Sequence, residues 1–498
     1  MRKLYTRLFN RQNIPAFQFG IITLCLIFII SPVFAQQQET PSNMQGNIEK
    51  YMEETMEMFN IPGAAIAMVH NDEIIYSKGW GITGKNHNPV TKDTPFLIGS
   101  NSKAFTALGI MKLVDQKKLE LDEPVQTYLP WFTLKDKKLA SQITIKQLLT
   151  QTSGLSTEIG LSLSDKGIQE KDAIKKNVMQ LSDVELVSFP GQSHHYSNAN
   201  YMILGAIIEE VSGQSFANFM EQNIFRPLQM NHTAADYKRA ERNGLTQGYQ
   251  SWFGISKEST ISFDNGGAPY GYIAASVNDM AHYMKALLNG NEMLPQDLMQ
   301  QMFEPIVPVN KGNSYGFGWR ISKMEDDRTL IWHAGSTPDH RSDVFLIPET
   351  KWGVVILTNK NHVLEEGRLT QVKHGILQII QGKEPPTLVK PIVIERWIFI
   401  GVFVFLCFIF LLLLKRLFQN NKNNFKKSFW FLLGGSFIVL SLLFIPALLY
   451  SLSIPWHSLY VFAPDLAFLA IGVLVLLAIN GVISIIIACK RQSVKMLF

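Results

Sequence analysis

Apolar residues along this 498-residue chain fall into two regimes, unbroken runs at both ends and periodic patterns between them. The run FGIITLCLIFII follows Arg2, Lys3, Arg7 and Arg11 and precedes SPVFA and a polar stretch. That order predicts a signal peptide over residues 1–35, cleaved after Ala35, with an uncleaved anchor as the alternative. Three further runs, 394–414, 429–450 and 466–489, are each long enough to cross a ~30 Å hydrocarbon layer as one helix. Between these ends, NIEKYMEETMEMFN spaces Ile48, Met52, Met56 and Phe59 along one helical face. EEGRLTQVKHGILQIIQ does the same with Leu369, Val372, Ile376 and Ile379. AAIAMVH and EIIYSKGWG read as strands joined at Asn71-Asp72, and SDVFLIPE and WGVVILTN as a second pair around Pro348–Lys351. Helical periodicity is expected over Lys103–Gln116, Thr144–Thr150, Asn200–Val211, Phe216–Ile224, Val277–Leu288 and Pro295–Met302. The predicted fold class is α/β: an antiparallel sheet built from both ends of a domain over 36–392, flanked by helices, with an inserted mostly helical lobe. A membrane region over 393–498 follows it.

Charge changes the picture by fixing orientation. Lys415, Arg416, Lys422, Lys426 and Lys427 crowd the connection after the first C-terminal run, and Lys490, Arg491 and Lys495 follow the last. The intervening SLSIPWHSLYVFAPD has no Lys or Arg, and its Trp456 and Tyr460 suit a membrane interface. The positive-inside tendency makes the first connection and the C-terminus cytoplasmic and puts residues 36–392 outside. The net charge of +5 is therefore a membrane-topology signal. The middle of the chain is net negative, so no nucleic-acid partner is expected. The lipid bilayer is the one expected macromolecular partner, and protein partners are not legible.

Cys25, Cys407 and Cys489 all lie in apolar runs, which leaves the outer domain without a disulfide or a cysteine nucleophile. Asp465, at the start of the last run, is read as interfacial, and the three spans are expected to carry almost no buried charge.

Candidate chemistry begins in FLIGSNSKAFTALGIMKLVDQ. Ser100 stands three residues before Lys103, hence on the same helical face, at a helix start whose free N–H groups favour a developing oxyanion. A serine hydroxyl needs a proton acceptor before it attacks, and a desolvated lysine can serve. Alone, S-x-x-K reads first as a capped helix with a solvated lysine. A second element, FPGQSHHYSNANYMILGAIIEEVSG, brings Tyr196, able to pass protons, and Asn198, able to donate and accept. Its plainer reading is a helix cap at Asn198 with Tyr196 packed at the base. His194 and His195 are adjacent and do not share a face, so no metal site is expected. A third element, TLIWHAGSTPDHRSDVFLIPE, ends a strand at His333-Ala334-Gly335-Ser336, where Gly335 lets backbone approach a ligand closely.

Taken in order, S-x-x-K, Y-x-N and H-x-G within this sheet–lobe–sheet layout resemble the serine beta-lactamase and penicillin-binding-protein superfamily. The likeness is to its class C beta-lactamase-like subgroup, with D-alanyl-D-alanine carboxypeptidase, D-aminopeptidase and esterase relatives. ITIKQLLTQTSGL and YGFGW add family-like text, and the resemblance spans about Ile48 to Ile380. It implies Ser100 as acyl-accepting nucleophile, Lys103 as its proton partner and Tyr196 as the general base for deacylation. It further implies Asn198, His333 and Gly335 at the substrate, an oxyanion hole from the backbone N–H groups of Ser100 and Ser336, and no metal or other cofactor. His333 stands where class C beta-lactamases resemble K-T-G, and a largely neutral histidine grips a carboxylate less well than lysine. The implied activity is a membrane-anchored serine hydrolase acting on an envelope peptide, D-amino-acid amide or ester. Two alternatives stay open: a beta-lactamase opening beta-lactam rings, and a non-catalytic ligand sensor coupled to the membrane helices.

Overall fold

The computed structural model of the chain describes residues 41–290, 293–389, 393–419 and 426–493. The expected signal peptide and its cleavage point lie outside these residues. Helix α1 (Pro41–Phe59) leads into β1 (Gly63–His70) and β2 (Glu73–Gly81), paired through a tight turn in which Asn71 takes a φ of 56°. Four helices then organise the middle and end of the soluble part: α2 (Ser102–Asp115), α3 (Asn198–Ser212), α4 (Val277–Asn289) and, after the remaining strands, α5 (Glu366–Ile380). Those strands are β3 (Val307–Asn310), β4 (Asn313–Tyr315), β5 (Arg320–Lys323), β6 (Thr329–Ser336), β7 (Arg341–Ile347) and β8 (Trp352–Thr358). They form one eight-stranded sheet in the order β2-β1-β8-β7-β6-β5-β4-β3, antiparallel throughout. The first and last strands of the domain thus meet at its centre, as expected of a sheet made from both ends.

Both faces of that centre are covered, which explains the continuous apolar run of β1. Ala65, Ala67 and Val69 point into the larger core beneath the helical lobe, while Ala64, Ile66 and Met68 point the other way. β8 repeats the alternation, Val355 and Leu357 against Val354 and Ile356. The second face is closed by α1 through Ile48, Met52 and Phe59 and by α5 through Leu369, Val372, Ile376 and Ile379. α2 lies between sheet and lobe and is buried from Ser102 through Met111, so its N-terminus opens deep in the molecule.

Boundaries differ from the periodic reading where local geometry intervenes. α3 starts at Asn198, capped by the extended Ser197, and the helix after Phe216 changes at Glu221 into a π turn through Phe225. The small strands β3 to β5 were not legible, because three or four residues carry too little alternation to register.

Three long apolar helices end the chain: α6 (Ile394–Phe418), α7 (Lys427–Leu452) and, after the short α8 (Trp456–Phe462), α9 (Pro464–Ser493). Each is long and apolar enough to span a membrane. One expectation fails here. Asp465 is fully buried, accepting from Arg396 Nε at 2.8 Å and lying 2.9 Å from His362 Nε2, while Arg396 also reaches Glu365 at 3.4 Å. A carboxylate and a guanidinium facing each other at the ends of two spans are withdrawn from water together, because each removes the other's unpaired charge. The spans are therefore bolted to the soluble part by buried charge.

Candidate active site

The S-x-x-K segment reaches the cleft through a pair of glycines. Gly99 adopts φ +52° at the start of a 3₁₀ turn, Gly99–Asn101, and a Cβ there would collide with the backbone nitrogen of Ser336. A Cβ on Gly335 would collide with the Ile98 carbonyl oxygen and Ser342 Oγ. Two backbones without side chains thus meet face to face, which brings Ser100 and Ser336 to one cleft. Gly335 thus permits a close approach between two segments of the chain. Asn101 Nδ2 donates to Ser342 Oγ at 2.7 Å, and that hydroxyl donates to Ile98 O at 2.6 Å, fixing the turn to β7. Ser102 faces inward and accepts from Ile273 N at 3.1 Å, so of the two serines it is the structural one.

Lys103 is completely buried, and its ammonium donates to Ser100 Oγ at 3.0 Å, Asn198 Oδ1 at 2.8 Å and Tyr270 O at 2.8 Å. Asn198 Nδ2 donates in turn to Ser164 Oγ at 3.0 Å, so both ends of this amide hold the lysine's surroundings in place. Burial pushes the Lys103 ammonium well below its ordinary range; the Asp165 carboxylate opposes this and the Arg320 guanidinium adds to it. Burial pushes the Tyr196 phenol up to about 12, with hydrogen bonding to Ser100 and the charge of Arg320 working against it. Lys103 Nζ lies 4.9 Å and Arg320 Cζ 5.4 Å from the centre of the Tyr196 ring. His333 is buried beside Tyr315, with Nε2 3.5 Å from its hydroxyl and Nδ1 2.7 Å from Ala334 O. Burial, then Arg320 and Lys103, hold it well below the usual imidazole range, so it is neutral.

Ser100, Lys103, Tyr196, Asn198, His333, Gly335 and Ser336 are therefore gathered into one neighbourhood from three separate stretches. Sequence reasoning missed Asp165, Arg320 and Tyr270. Asp165 sits in a loop with φ +59°, its carboxylate accepting from Tyr272 Oη at 2.7 Å, and burial raises it to about 6. The only signal for it was the isolated acid in LSLSDKG, a loop without periodicity. His194 and His195 fall outside any cluster of three metal-type ligands among the described residues.

The cleft holds about 280 Å³ and is walled on one side by Ser100, Tyr196, Asn198 and Ser336. The rest of its lining includes Ile454, Ser458 and Phe462 from the membrane part. A buried lysine against a serine hydroxyl, beside a backbone turn with free dipoles, is an arrangement suited to nucleophilic attack on a carbonyl.

Comparison with known proteins gives the same grouping. The Beta-lactamase family matches residues 48–374. Over 358 residues the chain is 30% identical to Protein flp of Staphylococcus aureus (strain N315), covering 70% of this chain and 69% of that protein. It is 31% identical over 355 residues to PbpX of Bacillus subtilis (strain 168), a protein named for penicillin binding, covering 70% and 81%. Among solved structures, the octameric penicillin-binding protein homologue from Pyrococcus abyssi superposes with a TM-score of 0.61 at 27% identity. That match covers 72% of this chain and 81% of the other.

Proposed function

The chain belongs to the Beta-lactamase family, and from that premise we propose that it is a membrane-anchored, extracytoplasmic serine hydrolase of the class C-like subgroup. It forms an acyl-serine intermediate on an envelope peptide, D-amino-acid amide or ester. The observation that carries this reading is the 3.0 Å contact between Ser100 Oγ and a wholly buried Lys103. Desolvation favours the neutral amine, which takes the Ser100 proton as Oγ bonds to the substrate carbonyl carbon. The carbonyl oxygen becomes an oxyanion held by the Ser100 and Ser336 N–H groups. As the tetrahedral centre collapses, the bond to the leaving nitrogen or oxygen breaks and the proton passes to that atom. Water then attacks the acyl-serine, giving a proton to the base; as the bond between Ser100 Oγ and the acyl carbon breaks, that proton returns to Oγ, releasing acid and free Ser100.

In this scheme Lys103 is the base and Tyr196, held as a phenol by burial, relays the proton between lysine and substrate. That reverses the emphasis the family resemblance placed on Tyr196. Neutral His333 favours peptide, amide or ester relatives over dedicated beta-lactam hydrolysis, since it brings no cation to a substrate carboxylate. The distribution of Lys and Arg supports a domain outside the cytoplasm and a C-terminus inside.

Turnover of a panel of D-amino-acid amides, short peptides and small esters by the full-length protein tests the reading. Activity on at least one class, lost in Ser100→Ala and Lys103→Ala, is expected. A panel with no turnover and a Ser100→Ala protein that retains its cellular role would favour the sensor alternative.

A further inference from the structure

The cleft is not closed by the hydrolase domain alone. Ile454 stands two residues beyond the end of α7, and Phe462 ends α8 immediately before α9. Both line the same cavity as Ser100, together with Val363 and Leu161. Part of the lining of the cleft that holds the nucleophile therefore lies at the adjoining ends of two apolar helices, α7 and α9. Exposed aromatics near the same ends of the spans, Trp397 on α6, Tyr450 on α7 and Tyr460 on α8, suit a membrane interface. The seating is specific: His457 Nε2 lies 2.8 Å from Asp165 O, Val363 N donates to Phe462 O at 3.1 Å, and Gln250 Nε2 donates to Val461 O at 2.5 Å. The buried Arg396–Asp465–His362 cluster lies beside this contact.

One atom on the wall lacks a use in folding. Among the described residues, Ser458 Oγ is buried without a hydrogen-bond partner, and Ser458 lines the cleft. A buried hydroxyl left unpaired costs stability unless a ligand completes it. A lining that is apolar at Ile454, Phe462 and Val363 and carries one unpaired hydroxyl, in the cleft that holds the nucleophile, suits a molecule that is polar at its reacting carbonyl and apolar beside it.

We propose that the substrate is a membrane-resident amphiphile, an ester or amide whose alkyl chain lies against Ile454, Phe462 and Val363 while its carbonyl meets Ser100 and a polar group meets Ser458. This rests on the acyl-serine reading above and adds the substrate class. The chain is carried either on the acyl group or on the leaving alcohol or amine; the cleft chemistry is shared, and two substrate series separate them.

The test uses full-length protein in lipid nanodiscs with p-nitrophenyl esters from acetyl to lauroyl, and in parallel acetate esters of alcohols from ethanol to dodecanol. In at least one series kcat/KM rises with length, by up to about fourfold per methylene that enters the wall. Partitioning into the bilayer is common to all variants, so the long-to-short ratio is compared with that of Ile454→Ser and Phe462→Ser. Each lowers the ratio about tenfold. In unaltered protein, a fluorophosphonate with a diazirine-bearing alkyl chain loses fluoride on bonding to Ser100 Oγ and, on illumination, crosslinks within residues 454–462. Ratios unchanged in both variants, or crosslinks confined to other segments while Ser100 is labelled, overturn the inference and leave the hydrolase reading intact. No adduct on Ser100 with any probe overturns both.

Discussion

Replacing Arg320 by methionine moves the acid limb of the pH–rate profile to higher pH. Lys103 and Arg320 lie over one ring, at 4.9 Å and 5.4 Å from its centre, so their charges are no more than about 10 Å apart. At an effective dielectric of ~20, two unit charges at that separation repel by about 1.6 kcal/mol, which is roughly one pH unit. The sign follows from the base. Attack needs neutral Lys103, so kcat/KM climbs as pH passes through its pKa, and a nearby cation lowers that pKa. Without Arg320 the limb shifts up by about one unit, while Arg320→Lys, which keeps the charge, leaves it near its original place. Asp165→Asn shifts it the other way over the range above about pH 6, where Asp165 carries its charge. The assay is kcat/KM for a chromogenic ester across pH, with melting temperatures measured in parallel. An unmoved limb, or one displaced toward acid in the folded Arg320→Met protein, refutes Lys103 as the base.

Three further outcomes follow from packing. Gly99→Ala and Gly335→Ala both drive a Cβ into backbone, so acylation falls in each by a larger factor than the change in thermal stability accounts for, measured by stopped-flow labelling against calorimetry. Ser102→Ala keeps Ser100 labelling but strips the buried Ile273 N–H of its acceptor, costing about 1–3 kcal/mol by denaturant titration. Arg396→Met leaves Asp465 buried without its guanidinium, facing His362 and the Phe253 and Leu466 N–H groups, and destabilises the full-length protein in nanodiscs by about 3 kcal/mol, and an added Asp465→Leu recovers most of the loss.

The parts legible in the sequence were those governed by local period. Ile48, Met52 and Phe59, or Leu369 through Ile379, reveal a buried helical face because spacing alone decides it. Ser100 and Lys103 were readable for the same reason, one helical turn apart. Tyr196, Asn198 and His333 became readable only through the order of three motifs, since nothing local brings β6 to α2. Asp165 and Arg320 had no such cue: one lies in an aperiodic loop, the other on a four-residue strand, and each acts across space on Lys103. Asp465 was misplaced because an acid at the start of a span usually faces water. The usable signal was the presence of Arg396 at the start of another span, a cation able to join it in burial. The segment SLSIPWHSLYVFAPD read as an interfacial loop, and only the fold shows it forming a wall of the cleft.

The most direct test of the central claim is the mass of the peptide containing Ser100 after the full-length protein meets a beta-lactam or fluorophosphonate probe. The account predicts a stable increase equal to the bound group, located on Ser100, absent in Ser100→Ala and retained in Ser102→Ala. Labelling that persists in Ser100→Ala, or that maps to Ser102, contradicts it.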